Sequence, residues 1–339
     1  MMPHPRFNAA LAAVLLCLVL SAPAVAQASS GGTLLVVNKG NGTVSIVDPM
    51  AGKEEGTLNE NARTGHEIAV SPDGMRAYVP IYGSAGVGQI GTDGSLIRVF
   101  DLAKGTIAGT FDFGRGVRPH RPVFGPRDGL LYVTTELDQT VSIIDPASLK
   151  LVGSVPTGHA ESHMLAISSD GKRGYTANVK SGTVSVLDLV NRRLVTTVPV
   201  ATVVQRIALS TDDRWAFTAD ETKLRLVVID TWTNTVSRSI PLPGIAFGAT
   251  ATPDGNSLLV AMPAIRMVGL VDLHTMRVVK TLELPKSPQE ILVRPDNAFA
   301  YVSCDSSAKV AVINLGTWTV DKLIEVGPMD DGLAWAATK

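Results

Sequence analysis

A short alternating apolar phrase that closes on Asp or Asn returns seven times along the chain. It reads VSIVD ending at Asp48, IRVFD at Asp101, VSIID at Asp145, VSVLD at Asp188, LVVID at Asp230, VGLVD at Asp272 and VAVIN at Asn314. From Asp188 onward the spacing is a constant 42 residues, and Asp101, Asp145 and Asp188 stand 44 and 43 apart. A fixed period in this range marks a repeat architecture, in which each unit buries its apolar face against its neighbours. The unit after His163 carries four strand signals: MLAIS (164–168), GYTANV (174–179), TVSVLD (183–188) and LVTTVPV (194–200). Alternation, β-branched residues and Gly/Asp/Asn punctuation set them apart, and no segment has a comparable helical period. The pattern predicts an all-β fold, a seven-bladed β-propeller with four antiparallel strands per blade.

The two ends predict how the ring closes. DGLAWAA (331–337) matches the first strand of a unit, as HEIAV (66–70) and QEILV (289–293) do, whereas TLLVVN (33–38) matches a second strand. One blade is therefore expected to combine N- and C-terminal strands, which leaves no open sheet edge. Residues 29–339 read as a single propeller domain. Asp73-Gly74, Asp170-Gly171 and Asp254-Gly255 read as hairpin turns with Gly at positive φ, not as catalytic groups.

Residues 1–28 read as an export signal outside the fold. Arg6 gives a positive n-region, Ala9 to Leu20 an apolar stretch too short to span a bilayer, and cleavage suits Ala26 or Ala28. This implies a periplasmic or secreted protein with no membrane span. Cys17 falls in that segment, which leaves Cys304 without a disulfide partner. A formal net charge of -1 and only 5% aromatic residues argue against nucleic acid as a partner.

Tyr132-Val133-Thr134-Thr135, Tyr78-Val79-Pro80 and Tyr301-Val302-Ser303, with the SPDG turn at 71–74, resemble the signature of the YVTN β-propeller repeat family. The resemblance covers essentially the whole chain beyond residue 28. It implies a seven-bladed propeller and a bacterial periplasmic YVTN repeat protein. Relatives of that fold include electron-transfer subunits, surface proteins and lactonase-like enzymes, so the resemblance implies binding more than one chemistry.

Aligning the first strands places equivalent residues at one mouth of the central channel. The position before each apolar run reads His66, His120, His163, Gln205, Phe247, Gln289, Asp331; the next reads Glu67, Arg121, Met164, Arg206, Gly248, Glu290, Gly332. Three imidazoles on consecutive blades suggest one divalent transition metal (Zn, Cu or Fe), with His66, His120 and His163 as ligands. Glu67 and Glu290 are the candidate catalytic bases, and Arg121 and Arg206 the candidate clamp for an anionic ligand. Gln205, Phe247, Gln289 and Asp331 complete the ligand-binding set. Alternatively the histidines are inherited channel liners bridged by water. Tyr82–Ser95 makes its unit about ten residues longer than the others and is expected to fold over this mouth. No Cys-x-x-Cys-His or GxSxG motif is present.

The expected function is recognition of a small polar or anionic molecule, or a periplasmic partner protein, at the His-bearing mouth. A metal-dependent hydrolase or lactonase-like enzyme is the alternative, and a surface or structural protein the third reading.

Overall fold

Seven four-stranded antiparallel sheets make up the molecule in this computed structural model, which describes residues 1–3, 31–84 and 86–337. Cys17 and the rest of the expected export signal, apart from its first three positions, lie outside the described residues. Each blade runs first to fourth strand in chain order. Blade 4, for example, is Ser162–Ile167, Arg173–Asn178, Thr183–Asp188 and Arg193–Pro199. Blade 1 joins both ends of the fold: Asp330–Ala337 pairs with Gly32–Asn38, followed by Thr43–Asp48 and Lys53–Asn59. The first strands touch their neighbours in an unbroken circle, so they line the channel. The expected closure is what the chain forms.

The repeated phrase has a local physical cause. Its terminal carboxylate accepts backbone N–H groups of the turn into the fourth strand: Met50 and Ala51 on Asp48, Ala147 on Asp145, Trp232 and Thr233 on Asp230. Asn314 does the same for Thr317. These side chains satisfy turn donors that the ladder cannot reach. Gly74, Gly171 and Gly255 take φ of 75°, 68° and 74° in the hairpins expected for them.

Alternation along second and third strands sends successive residues into opposite interblade cores. Leu34 and Val36 pack with Tyr301 and Val312 of blade 7, while Leu35 and Val37 pack with Ala77 and Val79 of blade 2. Seven such cores lie between successive blades. Truncating one fully buried Leu there would cost about 2–5 kcal/mol. The ring is thus a stiff frame, and side chains at its channel mouth inherit that stiffness. Among the described residues no helix is long and apolar enough to cross a membrane.

Candidate functional site

Three local devices aim the first-strand side chains into the channel mouth. Arg118, Glu161, Ser287 and Met329, each two positions before a ring residue, take left-handed φ of 51°, 58°, 61° and 58°. The first strands of blades 3, 4, 7 and 1 then bulge against their second strands, a feature that redirects side chains. Hydroxyls repair the ladder. Thr134 accepts the Arg121 N–H at 2.9 Å and donates to the His163 carbonyl at 2.7 Å, and Ser303 accepts the Glu290 N–H at 3.0 Å. Thr134 and Ser303 belong to the Tyr-Val-Thr and Tyr-Val-Ser segments, so the repeat signature helps build the mouth.

The three histidines come together as a stack. The rings of His120 and His163 lie 3.6 Å apart, with an interplanar angle of 29°. His66 meets His120 edge-on at 5.5 Å and stacks on Tyr82 at 4.8 Å. Glu136 accepts the Tyr82 hydroxyl at 2.7 Å and the Nδ1–H of His163. That tautomer leaves Nε2 of His163 to accept the Gln205 amide at 3.1 Å. Burial pushes His66 down to about 3, with Asp331 opposing, and pushes His120 well below the usual imidazole range. Both rings are neutral at pH 7. His120 is 2% exposed, and its Nδ1 has no partner.

The geometry corrects the metal expectation. Stacked rings cannot direct their nitrogens at one point, and Glu136 and Gln205 occupy both nitrogens of His163. Among the described residues no group of three or more His, Cys, Asp or Glu could hold a metal ion. The metal-dependent hydrolase reading loses its ligand set with it.

The arginine clamp is corrected as well. Arg121 Nη1 donates to Glu67 at 2.5 Å and to Glu290 at 3.1 Å. Arg206 donates to Glu290, pairs with Glu67 at 3.3 Å, and reaches Asp331 at 2.9 Å. Lys39 adds contacts to Asp331 at 3.0 Å and Asp305 at 3.1 Å. Charge neutralisation inside a ring that buries Glu67 and Arg206 explains this choice over open solvent-facing rotamers. Burial works against the Arg206 charge, but the surrounding carboxylates hold its pKa above the ordinary value. Burial, reinforced by Glu290, raises Glu67 to about 7. Glu67 and Glu290 therefore cross-link the mouth from below and do not stand free as bases. Phe247 stacks on Arg206 at 4.7 Å. Gln289 holds the equivalent half-buried position on blade 7, its backbone against Gly248.

The long segment Tyr82–Ser95 reaches the same end of the ring. Arg118 holds it there through Asp93 at 2.6 Å and the Gln89 carbonyl at 2.7 Å. Its base is pinched. Gly83 has φ of 114°, and a Cβ there would lie 2.0 Å from the Thr92 carbonyl oxygen, a contact only glycine avoids.

Sequence reasoning missed Tyr82, Glu136 and Lys39. All three occupy one repeat position, the residue that follows the four-residue signature of the second strand; Glu221 and Asp305 occupy it on blades 5 and 7. Burial raises Glu221 to about 6. Aligning second strands as well as first would have exposed this outer ring.

The model of the cytochrome D1 heme domain matches residues 126–293, slightly less than half of the chain, from blade 3 into the first strand of blade 7. No curated protein matches. Among solved structures, Kuenenia stuttgartiensis hydrazine synthase superposes with a TM-score of 0.72 at 20% identity, covering 84% of this chain and 93% of that one. The chain is thus similar to a haem-domain propeller over its middle blades, and shares its overall fold with a hydrazine synthase chain.

Proposed function

We propose that this propeller is an exported recognition protein that holds a small uncharged polar molecule at its His-bearing mouth. The observation that carries this is the hydrogen-bonded chain Tyr82–Glu136–His163–Gln205 at the mouth, with neutral His120 stacked against it. Such a surface offers donors and acceptors held in fixed positions, its one carboxylate already shared by Tyr82 and His163, which favours hydrogen-bond recognition over ion capture. The arginines that would attract an anion are spent on carboxylates. Export rests on the reading of residues 1–28, and the YVTN-type resemblance agrees with a binding role.

The cytochrome D1 match brings haem forward as a ligand, and the side chains here do not fit it. Haem iron takes an axial ligand whose lone pair points at the metal, with open space for the macrocycle. Both nitrogens of His163 are engaged, Nδ1 of His120 is sealed from solvent, and the two rings fill the gap between them.

Ligand-observed NMR with fragments sorted by charge tests the proposal. Neutral hydrogen-bonding fragments should bind the protein in a saturable way and lose at least about tenfold in affinity to His163→Ala. Binding of anionic fragments alone, or equal binding of neutral fragments by the variant, would overturn it. Added hemin should give no stoichiometric Soret shift; one that vanishes in His163→Ala would restore the haem reading.

A further inference from the structure

The ring closes on a cross-strand pair that differs from its counterpart in blade 4. Asn38, the last residue of the strand Gly32–Asn38, stands opposite Asp330 of the C-terminal strand, as Asn178 stands opposite Ser162. Both asparagine amides donate to the same two hydroxyl positions: Thr43 at 3.0 Å and Ser45 at 2.9 Å, Thr183 at 3.0 Å and Ser185 at 2.8 Å. In blade 4 the amide oxygen then accepts the hydroxyls of Ser162 at 2.7 Å and Thr176 at 3.1 Å. Blade 1 has Val36 in place of Thr176 and Asp330 in place of Ser162, so both hydroxyl donors are gone. Asn38 and Asp330 are fully buried, and Oδ1 of each has no hydrogen-bond partner. Thr43 gives its hydrogen to Asn41 at 2.8 Å, so it accepts from Asn38 and fixes which way that amide points. Asp330 Oδ2 accepts the Cys304 N–H at 2.6 Å. Two buried acceptors opposite one another in one strand pair need a hydrogen between them.

We propose that Asp330 is a carboxylic acid whose Oδ1–H donates to Asn38 Oδ1, so that one proton latches the N- and C-terminal strands together. A protonated carboxyl supplies one donor and keeps an acceptor for the Cys304 N–H, which is what this place requires. Ionisation releases that proton to solvent, sets a bare carboxylate against the amide oxygen and loosens the closing pair. The surrounding groups favour the acid. Burial, reinforced by Asp305 and Asp331, raises the Asp330 carboxyl from 3.8 to about 7 against the pull of the Cys304 N–H. Lys39 is paired with Asp305 and Asp331, and Arg206 with Asp331. The Cys304 thiol, pushed up to about 12 by burial, adds no charge. Glu60, joined to the Asn38 turn through Gly42, accepts the Gly65 N–H and is raised by burial to about 7. Stability linked to the acid form of Asp330 is therefore complete below pH 3.8 and is lost as pH rises through 7. The latch stands whether or not a ligand binds at the His-bearing mouth.

Carbon-13 NMR of the protein labelled at aspartate Cγ reads the acid directly. One aspartate should titrate near 7, and that titration should be missing in Asp330→Asn. A titration that persists in the variant overturns the proposal. So does the absence of any aspartate titrating above about 5, as when Asn38 turns its nitrogen to an ionised Asp330. Asp330→Asn carries a donor and an acceptor at every pH and so keeps the latch closed. At pH 8.5 the amides of Gly32–Asn38 should exchange at least about tenfold faster in the parent than in this variant, and at pH 5.5 equally. The strand Leu131–Thr135 of blade 3 should exchange alike in both proteins throughout. Glu60 and Glu67 titrate in both proteins and cancel from the comparison. Equal exchange of the closing strand at pH 8.5 overturns the proposal, and should Asp330→Asn fail to fold, the titration of the parent decides alone.

Discussion

Glu136, at the end of the second strand of blade 3, holds Nδ1 of His163 on the first strand of blade 4, and both side chains are buried. This contact crosses the blade boundary and fixes the ring that His120 stacks on. It converts two repeat positions that are distant in sequence into one unit.

Removing that carboxylate should loosen the mouth. Glu136→Ala leaves the Tyr82 hydroxyl and His163 Nδ1 without their acceptor, at a cost of about 1–3 kcal/mol for each unsatisfied buried group. Urea denaturation should report the loss. A variant as stable as the parent would mean that water replaces Glu136 without penalty.

Arg206→Ala should act on stability much more than on ligand affinity. It strands Glu67, Glu290 and Asp331 in a buried ring, and breaking such a network costs about 3–5 kcal/mol. Denaturation compared with fragment affinity separates the two effects. A stable variant with weakened binding of an acidic ligand would revive the anionic clamp.

Glu67 gives a pH signature with a definite sign. Its folded pKa, raised from 4.5 to about 7, lies above the unfolded value. The stability linked to its protonated form is complete below pH 4.5 and is lost as pH rises through 7. Relative to Glu67→Gln, the parent should therefore lose stability between pH 4.5 and 7. Paired denaturation curves across that window check this. A difference that runs the other way would mean that Glu67 ionises easily.

Releasing the long loop should leave the blades intact. In Arg118→Ala the contacts to Asp93 and Gln89 vanish, while the loop contributes no interblade core. Hydrogen exchange should accelerate at least tenfold over residues 86–92 and stay unchanged in the second strand Leu131–Thr135 of blade 3. Unchanged loop exchange would show that the pinch at Gly83 suffices to hold it.

The ring was legible because its causes repeat. Asp48 and its equivalents cap the same turn seven times, and the first-strand alignment put His66, His120, His163, Arg121, Arg206, Glu67 and Glu290 at one mouth. The pairing among these groups was not legible. One-dimensional order records which blade carries a charge, but not that Arg206 reaches across to Glu290 and Asp331. Nor does it show that Thr134 joins Arg121 to His163. Tyr82 and Glu136 were not assigned to the site because their shared repeat position mixes Lys39, Tyr82 and Val179 with the acidic Glu136, Glu221 and Asp305, so no single residue type marks it. The metal expectation failed for a related reason. Equal repeat positions guarantee proximity of the imidazoles, whereas their ring orientation is set by Glu136 and Gln205 on other segments.

Recognition of a neutral ligand at this mouth needs uncharged, fixed imidazoles at His66 and His120. Titrating the histidine ring resonances by NMR, assigned with His66→Gln and His120→Gln, tests that most directly. Both rings should keep their neutral shifts from pH 8 down to pH 5, below which His66 follows toward about 3. Titration of both near 6.5 would show charged, solvated histidines and would contradict the proposed recognition of a neutral ligand.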